Sequence, residues 1–398
     1  MSKILIIGNS VAGTYAAKTI NDIDNTQEIT ILSCESYPFY SRPRLPEFLA
    51  DKIPLEKLYI FSPEFYEKRG INLQLNTQVT SIDAVSHTVT TQDGVSYSYD
   101  TLLLANGSSA SLPPIEGISQ DWVFSLRTID DVLRIKEYAQ GKKEVIVIGG
   151  GLLGLEAANG LRQLGLNVRV VEFFDRLLPR QIDQEGSDIL KSVFEEIGFC
   201  FELGAVTQKV TEVDGVKKVI LKDGKTFSAD FVLVSAGIKP NIDLAESAGL
   251  AVNKGIVVDD FMKTSDKDIY AAGDVAEHAN RIYGIWPAAD EQGKAAGENI
   301  EEKEKKYTGT VLSTKLKVLG IDMASLGDIS AEGVSEYKRV DASSRLYQKL
   351  FVKDDCIIGA ILVGDVKKAF SLQAYIKDKV NIKGYEERIL MPDFDLRG

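Results

Sequence analysis

The residues best suited to chemistry lie in two short glycine-rich stretches, GNSVAG at 8–13 and GGGLLG at 149–154. Each follows an Ile/Val/Leu run that reads as a buried strand, and each opens a helical stretch. The spacing is that of G-x-G-x-x-G, a turn whose helix N-terminus can hold the pyrophosphate of a dinucleotide. The second loop carries all three glycines, Gly149, Gly151 and Gly154, with Leu152 and Leu153 between the last two. The first has Gly8 and Gly13 but Ser10 in the middle, followed by Val11 and Ala12. Ser10 keeps that loop compact, its hydroxyl can donate to a phosphate oxygen, and its Cβ is tolerable if it points away from the ligand. An acid closes the next strand in both cases, Glu35 lying 27 residues after Gly8 and Glu172 lying 23 after Gly149. A carboxylate at that place accepts from ribose hydroxyls and repels a 2′-phosphate, so at Glu172 NADH is expected over NADPH. Arg176 nearby tempers that preference.

The elements that must position these loops form an internal repeat. Round one reads as a strand at 3–7, a loop, a helix to about 23, and a strand at 28–33. A helical segment at 63–69 stopped by Gly70 follows, then a hairpin at Asp93-Gly94 and a buried strand ending at Gly107. Round two repeats that order, with strands at 144–148 and 167–171 and helices from 152 to about 164 and from 183 to 197. It turns at Asp223-Gly224 and closes on Gly237. A Pro-rich connector at 111–117 suits a crossing between domains. Later come a buried strand ending in Gly273-Asp274, a helix expected at 290–305, and from about 312 β-type runs with a helical tail. The charge run at 301–306 reads as a solvated helix end. The fold expected is α/β: two Rossmann-like domains, the second inserted in the first, each with a β-meander, plus a small α+β C-terminal domain. The expected boundaries are 1–110 and 239–311 for the first domain, 111–238 for the second and 312–398 for the third.

The chain has 398 residues, 44% hydrophobic and 26% charged, with a formal net charge of −12. That charge argues against nucleic acid and against an anionic membrane surface as partners. No apolar run reaches the ~18 residues a membrane span needs, and the N-terminal apolar run is too short for a signal peptide. Cys34, Cys200 and Cys356 are scattered without a C-x-x-C, which fits reduced thiols in a cytoplasm. With only two histidines, no metal site and no Ser-His-Asp triad is expected.

Taken together, GNSVAG…CE…FYSRPRL, YDTLLLANGS, LRTIDD, VIVIGGGLLGLEAA, VLVSAGIKPN and DIYAAGDVAE resemble the FAD- and NAD-dependent reductases of the pyridine nucleotide–disulfide oxidoreductase superfamily. YSRPRL, the lack of a redox cysteine pair and the C-terminal YQKLFVKDDCIIGAILVGD are most similar to NADH:rubredoxin oxidoreductases and to the flavin half of assimilatory nitrite reductases. The resemblance implies that the first loop binds FAD, with Ser10 a tolerated variant, and the second binds NAD. It implies FAD contacts from Gly8, Ser10, Val11, Ala12, Gly13, Glu35, Arg42, Val79, Asn106, Gly107, Arg127, Asp274 and Trp286. For NAD it implies Gly149, Gly151, Leu152, Leu153, Gly154, Glu156, Glu172 and Gly237. Val79 would meet adenine through its backbone, Arg42 and Arg127 the flavin or its phosphates, and Asp274 the ribityl–pyrophosphate portion. Trp286 or its neighbours would lie beside the ring.

Three departures stand out. Pro46 and Glu47 occupy places where relatives often carry Ser and Lys, the lysine pairing with the glutamate matching Glu156. Glu47 and Glu156 cannot form that ion pair, so no catalytic residue is assigned, although both would lie near flavin and nicotinamide. Asn106 replaces a usual Thr, and His278 reads as a solvated residue at the start of a helix.

Hydride transfer between two held cofactors needs little acid–base help. The chain also lacks the cysteine that disulfide reductases and cysteine-type NADH oxidases place beside the flavin; Cys34 reads as a buried strand-end residue. Electrons are therefore expected to leave singly to a small redox protein such as rubredoxin, from a monomer or homodimer. Because rubredoxins are acidic, docking calls for local cations, of which Arg44, Lys315, Lys317 and Arg345 are candidates. Alternatives are an H2O2-forming NADH oxidase, a flavin subunit of a larger reductase and a non-catalytic FAD/NAD redox sensor.

Overall fold

A computed structural model describes residues 2–318 and 321–394, excluding the side chains of 317 and 318. The chain falls into two compact units. The first comprises the chain up to Pro43, Pro54–Ser109 and Ile238–Thr310; the second comprises Arg44–Ile53, Ala110–Gly237 and the chain from Val311.

Each unit is built on a five-stranded parallel sheet. In the first the spatial order is Ile269–Ala271, Thr101–Leu104, Lys3–Ile7, Glu28–Leu32, Asn72–Gln74. In the second it is Val123–Ser125, Phe231–Val234, Glu144–Ile148, Asn167–Val171, Cys200–Glu202. Ile4 lies between Ile29 and Thr101, as Val145 lies between Val168 and Phe231. The repeat read from the sequence is thus a repeat of topology and register. Continuous runs such as Ile4–Ile7 and Phe231–Val234 are buried on both faces, which is why they show no alternation. In both units the chain runs to one side of the central strand and then to the other. That reversal opens a crevice at the carboxyl ends of the strands, where the glycine loops stand. Each unit also carries a three-stranded antiparallel meander, Val79–Asp83 to Ser98 in the first and Thr207–Val213 to Ala229 in the second.

Residues from Val311 onward are grouped with the second unit. They form an antiparallel sheet in the order Ser313–Val318, Ile321–Gly327, Cys356–Gly364, Leu346–Lys353, Ser335–Asp341. Ala324, Leu326, Leu350, Ala360 and Leu362 bury one face under Ala369, Leu372 and Tyr375 of the helix Ala369–Lys377. The sheet is tied to the helix Gln184–Glu196 by charged contacts. Asp183 caps that helix at Gly186 N and accepts from Tyr347 Oη at 2.5 Å and Lys349 Nζ at 3.0 Å. Arg345 pairs with Glu196 at 2.7 Å and Lys338 with Glu185 at 3.0 Å.

Burial alone would raise the Asp183 carboxyl, but the bonds from Tyr347, Lys349 and Gly186 hold it below the ordinary aspartate range. Its contribution to stability is therefore complete above that range and is lost as pH falls through it. Asp183→Ala removes a helix cap and leaves the buried Tyr347 hydroxyl without its acceptor, an expected loss of about 2–3 kcal/mol. A urea melt following this unit checks the figure, and a change under 0.5 kcal/mol would contradict it.

Candidate functional site

The two glycine loops agree at their first and third glycines. The first glycine has a left-handed φ in both, +115° at Gly8 and +118° at Gly149. A Cβ there would stand 2.2 Å from Ala105 O and 2.1 Å from Ser235 O, respectively. The third glycine is needed for packing: a Cβ on Gly13 would lie 2.0 Å from Gly8 O, and on Gly154 2.2 Å from Gly149 O. The middle position differs from both. Ser10 sits at φ −120° and Gly151 at φ −78°, regions open to any L-residue. A Cβ on Gly151 would meet nothing within 4 Å. Neither backbone strain nor protein packing demands glycine there, so Ser10 leaves the loop intact.

In the first unit, the helix Val11–Ile23 packs closely on Trp286–Ile300 through small residues. A Cβ on Gly293 would lie 2.4 Å from Ala12 O, and on Gly297 2.8 Å from Ala16 O. That helix begins at Trp286, four residues before the expected start, because Pro287 suits a first helical turn. Trp286 stacks on Phe39 with ring centroids 5.4 Å apart. Neither helix has an acid in its first turn, which leaves both positive ends available to an anion. Gly273-Asp274 follows the strand Ile269–Ala271. The Gln292 side-chain carbonyl accepts from Gly273 N at 2.8 Å, and Ser108 Oγ donates to Asp274 at 2.9 Å.

Glu35, just past its strand, accepts from Tyr40 Oη at 2.6 Å and is ion-paired with Arg42. Arg42 also donates to Tyr40 Oη at 3.0 Å. Arg42 is thus held beside Glu35. Val79 is buried at the start of its strand, beside an irregularity in the pairing with the next strand. Asn106 and Asn241 exchange side-chain amide bonds to each other's carbonyls, 2.8 Å each, while Asn106 Oδ1 is buried with no protein partner among the described residues. The donor-rich cradle, two acid-free helix ends and this unpartnered atom fit a dinucleotide. Gln292 and Tyr40 escaped the sequence reading, although a glutamine buried among small helix residues was a usable signal for the first.

In the second unit the Glu172 carboxylate accepts from Gly150 N at 2.5 Å and from Phe174 N at 2.8 Å. Backbone donors thus aim it at the loop. Arg176, expected to temper its selectivity, instead pairs with Asp175 and donates to the Ile182 and Pro179 carbonyls. Gly237 has φ +102° at the end of its strand-closing loop. The short helix Leu45–Leu49 lies against Leu152–Gln163, where a Cβ on Gly160 would sit 3.1 Å from Pro46 O. Glu156 is one helical turn before Gly160 on the same face. Burial first, and the Glu47 carboxylate second, push Glu156 up to about 7. Glu47 takes its own ion pair from Arg44 at 3.1 Å.

Two expectations change, those for His278 and Cys34. His278 is neither solvated nor at a helix start: it is buried in the short strand Ala276–His278, with Nε2 3.0 Å from Asp260. Cys34 is exposed, because the strand Glu28–Leu32 ends before it and the chain has already left the sheet. Arg127 falls in the second unit, its N–H donating to Asp131 at the start of the helix Ile129–Tyr138. Of the docking candidates, Arg44 and Arg345 are engaged by Glu47 and Glu196. Lys315 is exposed, and the Lys317 side chain lies outside the described residues.

Residues 2–293 match the pyridine nucleotide-disulphide oxidoreductase family. The chain belongs to that family. Residues 313–380 match the rubredoxin NAD+ reductase C-terminal domain. Its homologues include NADH-dependent flavoprotein oxidoreductases, and the family works with FAD and NADH. The NADH-rubredoxin oxidoreductase of Clostridium acetobutylicum is 32% identical, with 94% of each chain covered. A solved structure of NADH:rubredoxin oxidoreductase from that organism gives 30% identity, a TM-score of 0.80 and 96% coverage of both chains. The assimilatory nitrate reductase electron transfer subunit of Bacillus subtilis is 35% identical over 98% of this chain but 51% of its own length. The chain thus spans about half the length of that relative and of related nitrite reductases. Among the described residues no helix is long and apolar enough to cross a membrane.

Proposed function

We propose that this chain transfers a hydride from NADH to FAD and passes the electrons singly to a small redox protein of the rubredoxin kind. Bound FAD would supply the two-electron-to-one-electron exchange. Residues 8–13, Glu35, Arg42, Asn106, Gly107, Asp274 and Trp286 would hold it. Residues 149–154 and Glu172 would hold NADH, with Glu172 disfavouring a 2′-phosphate. The chain's own work is then binding and orientation, and no proton relay is required.

The observation that carries the reading is the pairing of a duplicated nucleotide unit with a rubredoxin-reductase type C-terminal sheet along one chain. Scattered free cysteines and the absence of a C-x-x-C support direct transfer from flavin and a cytoplasmic setting. The half-length match to the nitrate reductase subunit favours a second reading, the flavin portion of a larger reductase.

Anaerobic stopped-flow tests the proposal: the protein is reduced with NADH, then mixed with rubredoxin or, separately, with oxygen. Reoxidation by rubredoxin is expected to be faster by orders of magnitude. Oxygen as fast or faster would move the assignment to an NADH oxidase. Failure of both would point to another carrier, as in the larger-reductase reading, or to a redox sensor.

A further inference from the structure

The helix Ala369–Lys377 buries Ala369, Leu372 and Tyr375 against the C-terminal sheet. Phe370 stands away from that side and is 82% exposed. Lys377 lies two helical turns further along the same face as Phe370, and Lys367 stands in the turn just before the helix. Both lysines are exposed, and neither forms an ion pair among the described residues. The cations around them are occupied. Lys368 Nζ donates to the Ile389 and Phe394 carbonyls at 2.6 and 2.7 Å, and Lys383 pairs with Asp355 at 3.7 Å. The acids nearest in sequence are Asp365, which accepts from Lys367 N at 3.0 Å, and Asp378 at the helix C-cap. One exposed aromatic by itself means little. Set between two unpaired ammonium groups, it gives an apolar centre with a positive rim, on a chain whose formal charge is −12.

We propose that this face docks the small acidic redox protein that accepts the electrons. The inference rests on the electron-transfer reading and adds a docking surface to it. Phe370 would meet an apolar spot on the acceptor, while Lys367 and Lys377 meet carboxylates around that spot, steering encounter and fixing register. Arg44 and Arg345 are spent on Glu47 and Glu196 and add no net charge for an acidic partner. Because Ala369, Leu372 and Tyr375 hold the helix on the sheet, Phe370 is presented from a rigid element. Docking then has little more to order than the two lysine side chains.

The test uses the FAD-loaded protein, reduced anaerobically with NADH and mixed with rubredoxin as the acidic acceptor at low and at high salt. Flavin reduction by NADH is expected at the wild-type rate in every variant, which also reports an intact fold. In Phe370→Ala the second-order rate of reoxidation by rubredoxin is expected to fall about 10-fold at both salt concentrations, since the lost contact is apolar. In the double variant Lys367→Glu, Lys377→Glu it is expected to fall about 10-fold or more at low salt, with the gap closing at high salt. Reoxidation within twofold of wild type at low salt in either variant overturns the proposal. So does a charge-reversed protein slowed equally at both salt concentrations. Wild-type protein that rubredoxin does not reoxidise removes the acceptor reading itself, and the docking surface with it.

Discussion

Gly149→Ala is expected to lower the apparent affinity for NADH more than 100-fold while the protein keeps its flavin, and Gly8→Ala to yield protein without flavin. The reason is the same at both sites. The new Cβ would sit 2.1 Å from Ser235 O in one case and 2.2 Å from Ala105 O in the other. The φ values of +118° and +115° are also strained for any L-residue. Overpacking and backbone strain together cost on the order of 3 kcal/mol or more, which the loop relieves by leaving its phosphate-binding shape. Dithionite reduction at the wild-type rate in Gly149→Ala would show the flavin site intact, and circular dichroism would confirm the fold. Ser10→Gly, by contrast, is expected to leave FAD affinity within about threefold, since that position needs no glycine conformation. Normal NADH affinity in Gly149→Ala, or a flavin-replete Gly8→Ala, would reject the assignment of the loops.

The second large effect concerns Glu156. Its carboxyl is pushed up to about 7 from 4.5, by burial first and Glu47 second. An acid whose pKa is higher in the folded chain holds its proton more tightly when folded. Its contribution is complete below about pH 4.5 and lost as pH rises through 7. At about 1.4 kcal/mol per unit, the wild-type unit loses up to ~3 kcal/mol over that window. Glu156→Gln is neutral throughout and should be more stable than wild type at pH 8 by about 2 kcal/mol. For a unit of this size that is about 5 °C in melting temperature, with no difference near pH 4. Glu47→Lys replaces the repelling charge by an attracting one and should move the wild-type loss to lower pH. A Glu156→Gln protein with the wild-type pH dependence between 5 and 8 would assign the effect to another group.

Much of the architecture was legible in the linear order of residues. Ile/Val/Leu runs ending in Gly8, Gly107, Gly149 and Gly237, each followed by a helix or a crossing, define buried parallel strands wherever they fold. Gly70, Gly198 and the Asp-Gly turns mark their ends, because glycine supplies the left-handed φ that other residues resist. These are local rules, so the duplicated unit and both glycine loops could be read from one sequence. The loop acids Glu35 and Glu172 followed from spacing for the same reason.

Only the tertiary structure decided the rest, since those features depend on residues far apart in the chain. The Glu47–Glu156 juxtaposition needs the short helix Leu45–Leu49 to land on Leu152–Gln163, which the family resemblance implies but no local pattern announces. His278 was misread because its burial comes from Asp260 and the strand Ile256–Val258 beside it. Cys34 was misread because one residue of strand length separates a buried side chain from a surface one. Whether the middle of the first loop required glycine was a question of φ and of where a Cβ points. Sequence does not supply φ; the folded backbone gives Ser10 an ordinary −120°, which needs no glycine.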